Sequence, residues 1–240
     1  MKILSCGAGM QSTSLALISC EQTKGIVRYP QVPRYDAVIY CDLGIEPPWV
    51  IQQVRFIQQA CESCDISFVI LKNNLYRDYM DNFGRRHVAG MPFWTIDPDG
   101  KKGRIGRRAC TIDYKILMIQ KYVRYQMLGY RPYEHNRPED VGAHELHIGF
   151  SNEESHRSFP SHHPFFVNRF PLVEMGWERK DTYQYNREVW GLDTKASACT
   201  ICPFHRNYFY QYLKNNEPTD FKKVVDFDKL LEQMRMWLRV

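Results

Sequence analysis

Short apolar runs alternate with segments of helical periodicity along most of the chain. Lys2-Ile3-Leu4 reads as a buried strand running into the turn Ser5-Cys6-Gly7-Ala8-Gly9, and Gln11 to Ser19 reads as a helix. Ala37 to Tyr40 is a second strand ending at Asp42, followed by a helix that Pro47-Pro48 opens and that runs to about Cys61. Ile66 to Leu71 is a third strand, and Asn73 to Asn82 a short helix. The polar, Gly- and Pro-punctuated stretch from Gly84 to Gly106 predicts a long loop. Tyr114 to Gln126 is helical, Leu146 to Phe150 a further strand, and Ser151 to Phe170 a loop. Helices are expected around Lys180 to Trp190, Asn207 to Asn215 and Thr219 to Leu238. Strands alternating with helices imply a parallel sheet with right-handed crossovers. The fold expected is α/β: a Rossmann-like parallel sheet flanked by helices over residues 1–175. A helical C-terminal lobe over 176–240 is expected to pack on it as one unit.

Composition narrows the class without naming it. The 240 residues are 44% hydrophobic and 25% charged, ordinary for a globular chain and wrong for disorder, collagen or coiled coil. Runs such as Ala37 to Cys41 are far too short to cross a bilayer, so no membrane partner is expected. The start of the chain, with Leu17-Ile18-Ser19-Cys20, imitates a lipoprotein cleavage site. Gly7, Gly9, Gln11, Ser12, Thr13 and Ser14 break the apolar centre that a signal peptide needs. The segment is expected instead to be a strand, loop and helix of a cytoplasmic protein. Eight cysteines are too few for a disulfide scaffold at this length and point to metal or redox chemistry.

The first βα turn has the chemistry of an anion cradle. Gly7 and Gly9 let the backbone approach a ligand, a helix N-terminus follows, and Ser5, Ser12 and Thr13 add hydroxyls. It is neither a Walker loop nor the dinucleotide G-x-G-x-x-G, because Ser12 stands at the third glycine. Asp42 and Glu46 lie at the carboxyl end of the second strand, the edge where open parallel sheets bind ligands. An acid there can hold a ribose, an amino group or Mg²⁺; alternatively Asp42 caps a turn and Glu46 sits near a helix start.

These segments together resemble the PP-loop, or N-type, ATP pyrophosphatases, and more narrowly the branch related to phosphoadenosine phosphosulfate reductase. The resemblance is carried by Gly7-Ala8-Gly9-Met10-Gln11-Ser12-Thr13, by Asp42-Leu43-Gly44-Ile45-Glu46, and by Arg108-Ala109-Cys110-Thr111-Ile112-Asp113-Tyr114-Lys115-Ile116. It continues in Gly149-Phe150-Ser151-Asn152-Glu153-Glu154-Ser155-His156-Arg157 and in Ala198-Cys199-Thr200-Ile201-Cys202-Pro203-Phe204-His205. Five segments in the family's order span about residues 1 to 230. Two departures stand out: Gln11 occupies the loop position that is usually Asp, and the C-terminal Glu-Cys-Gly-x-His motif of true sulfonucleotide reductases is absent.

The resemblance implies that ATP, with Mg²⁺, is cleaved between its α and β phosphates, adenylating an acceptor oxygen for attack by sulfur or nitrogen. It assigns nucleotide binding to Ser5, Gly7, Gly9, Gln11, Ser12, Thr13, Asp42, Gly44, Glu46, Gly149, Ser151, Glu154 and Arg157. Asp42, Arg108 and Lys115 are the expected catalytic groups. Cys110, Cys199 and Cys202 would hold a [4Fe–4S] cluster with one open iron. Structural zinc with His205 as fourth ligand, or a metal-free disulfide-forming pair, are the alternatives. Cys61-x-x-Cys64, Cys6, Cys20 and Cys41 are expected to be bystanders.

The formal net charge is +5. Arg85, Arg86, Lys101, Lys102, Arg104, Arg107 and Arg108, opposed only by Asp97 and Asp99 and interleaved with Phe93 and Trp94, account for it. A basic segment with aromatics suits a nucleic acid. His144, His147, His156, His162 and His163 are expected on the surface or in loops. The function expected is sulfur activation or transfer on a nucleic acid, resembling DNA phosphorothioation or tRNA thiolation. The expected partners are that DNA or tRNA, a sulfur donor such as a cysteine desulfurase, and a second copy of the chain. A non-catalytic nucleotide-binding subunit of a defence or mobile-element complex, or a sulfonucleotide reductase, are the alternatives.

Overall fold

The computed structural model describes residues 1–82, 91–92, 94–96, 99, 101–105 and 109–237, with the backbone alone for 94–96, 102–105 and 233–237. In chain order the elements are β1 (Lys2–Cys6), α1 (Met10–Thr23), β2 (Ala37–Asp42), α2 (Pro48–Glu62), β3 (Ser67–Lys72) and α3 (Leu75–Asn82). There follow β4 (Trp94–Ile96), β5 (Lys102–Ile105), α4 (Ala109–Thr111), α5 (Leu117–Tyr122), β6 (His144–Ile148) and β7 (Phe166–Arg169). The chain ends in α6 (Pro171–Glu174), α7 (Arg179–Trp190), α8 (Asn207–Asn216) and α9 (Pro218–Trp237). A π-helical turn at Ile112–Ile116 joins α4 to α5, and a second at Val123–Met127 extends the run beyond α5.

Contacts divide the chain into two compact units that interleave along the sequence. Unit 1 is Met1–Cys41, Pro48–Leu71 and Met118–Ser197; unit 2 is Asp42–Pro47, Lys72–Leu117 and Ala198–Val240.

Unit 1 is built on a five-stranded sheet in the order β3-β2-β1-β6-β7. β1 pairs parallel with β2 and β6, Leu4 standing opposite Val38 and His147, and β6 pairs parallel with β7. Alternate residues feed opposite faces, as strand geometry requires. Leu4, Val38 and Tyr40 join α1, α2, Leu172 and Tyr185 on one side. Ile3, Ala37 and Ile39 join Ile119, Val123, Tyr130 and Phe165 on the other. The sheet is thus covered on both faces, the Rossmann-like α/β arrangement that the alternation of elements predicts.

Helix α1 is buried at every position from Ser12 to Glu21. A helix enclosed on all sides has no polar stripe, and this is why its sequence imitates a leader. Two of its polar side chains bond to neighbouring segments: the Ser14 hydroxyl donates to Asn186 Oδ1 at 2.9 Å, and Ser19 Oγ accepts the Tyr35 amide at 2.8 Å. The Asn186 amide in turn donates to the Met10 carbonyl at 3.0 Å and to Thr194 Oγ1 at 3.1 Å, locking α7 to α1.

Three expectations are corrected here. The loop expected over Ser151 to Phe170 contains β7, whose four residues are too few to show a period. Within the stretch expected as a long loop, β4 and β5 pair antiparallel, Trp94 opposite Ile105. His144 and His147 are buried, not superficial; His144 bonds Asp140 at 3.2 Å and His147 bonds Glu145 at 3.1 Å.

Unit 2 has a core of Leu43, Ile45, Leu75, Tyr79, Met91, Ile201 and Phe227 together with Cys199 and Cys202. The Thr200 amide donates to the Ile45 carbonyl at 2.9 Å, fixing the cysteine turn beside the segment after β2. No helix among the described residues is long and apolar enough to cross a membrane.

Candidate functional site

Strands β2 and β3 lie to one side of β1, and β6 and β7 to the other. The strand order therefore reverses between β1 and β6, and the loops leaving these two strands define the crevice where open α/β sheets bind ligands. Both loops belong to unit 1.

The loop after β1 is held by its own short side chains. Ala8 adopts φ +52, a left-handed backbone uncommon outside glycine. Ser12 Oγ accepts the Gly7 amide at 3.2 Å and lies 3.4 Å from the Gly9 carbonyl, to which it donates. Gly9 is the N-cap of α1, and no side chain caps the helix. The first-turn amides of a 14-residue helix are therefore left to an external acceptor, and the helix dipole favours an anion there. From below, the Gln53 amide donates to the Ala8 carbonyl, while Gln53 Oε1 accepts the Lys195 amide at 2.6 Å. A Cβ at Gly9 would stand 2.8 Å from Ser197 Oγ. A Cβ at Gly149, just beyond β6, would stand 2.9 Å from the Ser12 nitrogen, so only glycine admits so close an approach of the two loops.

Gln11 joins the loops chemically. Its amide donates to Ser151 Oγ at 3.1 Å and to Glu154 Oε2. Glu154 Oε1 accepts Arg157 and lies 3.3 Å from Arg179 Nη2. Burial works against the Glu154 charge, but the Gln11 amide and then Arg179 and Arg157 outweigh it and hold the carboxyl below its usual range. Ser151 is fully buried and donates to Glu153 Oε2 at 2.8 Å. Two guanidiniums are thus tethered, through Glu154 and Gln11, to the first turn of α1. That combination can receive a polyphosphate.

The expected residues divide between the units. Ser5, Gly7, Gly9, Gln11, Ser12, Thr13, Gly149, Ser151, Glu154 and Arg157 lie in unit 1. Of these, Thr13 is fully buried and its hydroxyl has no hydrogen-bond partner among the described residues. Asp42, Gly44, Glu46, Cys110, Lys115, Cys199, Cys202 and His205 lie in unit 2. Asp42 Oδ1 accepts the Gly44 amide at 2.8 Å, and Gly44 takes φ +72, so this carboxylate also builds the turn after β2. Glu46 is buried. Arg108 lies outside the described residues, as do Arg85, Arg86, Phe93, Asp97 and Arg107.

Around the cysteine turn, His205 Nε2 donates to the Cys199 carbonyl at 2.9 Å and its ring stacks on Phe209 at 3.5 Å. Burial lowers the His205 pKa, keeping the ring neutral. Tyr210 donates to the Cys202 carbonyl at 3.0 Å. A hydrogen bond with Cys202, burial and the nearby Glu46 charge push the Cys199 thiol well up, with Lys115 opposing in part. Among the described residues no three His, Cys, Asp or Glu side chains gather as a metal-holding group. Cys199 and Cys202 lie in the unit 2 core with Cys110 packed against it, and His205 Nε2 is engaged by the Cys199 carbonyl. Thiols with an imidazole nearby are donor chemistry that suits a thiolate-bound metal and a dithiol alike.

Three contributors carried no local signal strong enough to find them: Gln53, Arg179 and Ser197. Gln53 alone had a hint, as a polar residue on the buried face of α2 that Val50, Val54 and Ile57 define. The bystander cysteines also regroup. Cys20 shares hydrogen bonds with Cys61 and Cys64 inside unit 1, and these bonds with Cys61, together with burial, push its thiol pKa up.

Fold and loop geometry define a parallel α/β protein with an anion-receptive βα turn at the reversal of strand order. No family model matches the chain, and no curated protein matches it. Among solved structures it is similar to the U34-tRNA thiolase NcsA from Methanococcus maripaludis with its [4Fe-4S] cluster. The identity is 16% and the TM-score 0.42, over 96% of this chain and 71% of that one.

Proposed function

We propose that this chain is a PP-loop ATP pyrophosphatase, of the phosphoadenosine phosphosulfate reductase-like branch, that activates an oxygen on a nucleic acid for sulfur transfer. The observation that carries the reading is the uncapped start of α1 at the β1/β6 reversal, with Arg157 and Arg179 linked to it through Glu154 and Gln11. The triphosphate-binding role falls to unit 1. An acceptor oxygen would attack the α-phosphorus, the α–β bond would break, and pyrophosphate would leave. Asp42, with Mg²⁺, and the cations Arg108 and Lys115 are the proposed catalytic groups. The outer sulfur of a persulfide on Cys199 or Cys202, charged by a cysteine-desulfurase-class donor, would then displace AMP; the other thiol would break the S–S bond, leaving a thiolated tRNA or phosphorothioated DNA and a Cys199–Cys202 disulfide that an external thiol reductant reopens. The thiol chemistry falls to Cys199 and Cys202 in unit 2, and no step is routed through a metal cluster.

The test is the product of ATP turnover in the full chain. Pyrophosphate and AMP are expected, with loss in Ser12→Ala; release of ADP and phosphate would overturn the reading. One observation favours a second reading, a nucleotide-binding subunit without catalysis: the residue at the loop's acidic position is Gln11, whose amide is committed to Ser151 and Glu154. Tight ATP binding with no pyrophosphate release, even with a thiol donor and total tRNA present, would favour it.

A further inference from the structure

The segment after α7 folds back on the loop after β1 and is fastened at Thr194, Lys195 and Ala196. Asn186 Nδ2 donates to Thr194 Oγ1 at 3.1 Å. Gln53 takes Lys195 by both ends of its amide: Oε1 accepts the Lys195 N–H at 2.6 Å, and Nε2 donates to the Lys195 carbonyl at 3.2 Å. Trp49 Nε1 donates to the Ala196 carbonyl at 3.1 Å. Asn186 and Gln53 also bond the loop itself, at the Met10 and Ala8 carbonyls. Strap and loop are thereby held by shared partners, all of them in unit 1.

What the strap delivers is Ser197. Its Oγ lies 3.6 Å from where a Cβ of Gly7 would stand and 2.8 Å from that of Gly9. Gly9 has φ −90 and ψ 175, a backbone open to any residue, so its conformation does not call for glycine. The presence of Ser197 does, because a side chain at Gly9 would displace the hydroxyl. Ser12, the hydroxyl within the loop, is spent on the Gly7 amide and the Gly9 carbonyl. Ser197 is partly buried, and its hydroxyl makes no hydrogen bond with the described residues. It is therefore an uncommitted donor, fixed by its backbone beside helix amides that lack an acceptor of their own. A hydroxyl so placed can bond the anion that those amides receive, and donors to charged oxygen make the stronger hydrogen bonds. Because the strap is fastened in advance, little ordering is left to be done on binding.

We propose that Ser197 is a phosphate-binding residue, its hydroxyl donating to a phosphate oxygen of the nucleotide held at the start of α1. The inference rests on the nucleotide reading above and adds to it a residue that precedes the Ala198–His205 segment. The test is calorimetric titration of the full chain with α,β-methylene-ATP and with adenosine, alongside melting of the ligand-free chain. Ser197→Ala is expected to bind the analogue about tenfold more weakly, with adenosine affinity and melting unchanged. Should the variant melt lower, adenosine still decides. Weakening of the analogue alone supports the phosphate contact, and equal weakening of both overturns it in favour of a packing role. Native affinity for the analogue in Ser197→Ala, with binding lost in Ser12→Ala, overturns the role of Ser197 and leaves the nucleotide reading standing. A native chain that does not bind the analogue removes both.

Discussion

Unit 1 and unit 2 make their candidate sites from different materials. In unit 1 the receptive surface is mostly backbone: amides at the start of α1, a left-handed Ala8, and Gly149 where any Cβ would collide with Ser12. In unit 2 it is side chains: thiols and a buried carboxylate. The net charge follows the same division, since fifteen basic residues balance fifteen acidic ones in unit 1 and the whole +5 resides in unit 2. A site made of amides binds an anion without formal charge of its own and depends on fit. A site made of side chains depends on charge and on the protonation of its groups.

The sharpest way to break this contrast is Gly149→Ala. Its Cβ would meet backbone that cannot turn aside, 2.9 Å from the Ser12 nitrogen and 3.2 Å from its Cα. A loss of about 3 kcal/mol in stability is expected, with nucleotide binding abolished, by calorimetric melting and titration with a non-hydrolysable ATP analogue. Asn186→Ala comes next, because it removes buried bonds to Met10, Ser14 and Thr194. About 2 kcal/mol is expected from denaturant unfolding, again with weaker nucleotide binding, since the Met10 carbonyl belongs to the first turn of α1.

In unit 2 the counterpart is His205→Ala, which frees the Cys199 carbonyl and removes the Phe209 stack. A smaller loss, about 1 kcal/mol, is expected, while alkylation of Cys199 and Cys202 accelerates and nucleotide binding stays unchanged. The smallest effect is electrostatic. Glu154 has a folded pKa below the ordinary carboxylate value of about 4.3, so its contribution is present above that pH and is lost as pH falls through the lower folded value. Melting curves between neutral and strongly acid pH should therefore fall less steeply for Glu154→Gln than for the native chain, by a few degrees at most. An equal slope would remove Glu154 from the acid sensitivity of unit 1.

Much of the frame was legible in the sequence. The strands β1, β2, β3 and β6 and the helices around them each carry their own periodicity or turn residues, and the glycine turn announces itself chemically. What escaped had no local signature. β7 contributes only Phe166–Arg169, and β4 and β5 are recognisable only through each other. His144 and His147 look like surface residues until β6 is seen to lie between two strands. The cysteines illustrate both sides: Cys199-x-x-Cys202 marked a turn correctly, yet its spacing could not say that His205 would be spent on a backbone carbonyl.

The sequence by itself determined the alternation of strand and helix, the flexible turn after β1, the place of the cysteine turn and the size of the charge excess. Those properties depend on residues within a turn or two of one another. Tertiary structure alone decided that Gln11 meets Glu154, 143 positions away, that the loops after β1 and β6 touch at Gly149, and that Ser197 lies against Gly9. Strand order and side-chain contact are set by packing between distant segments, and no local pattern encodes them.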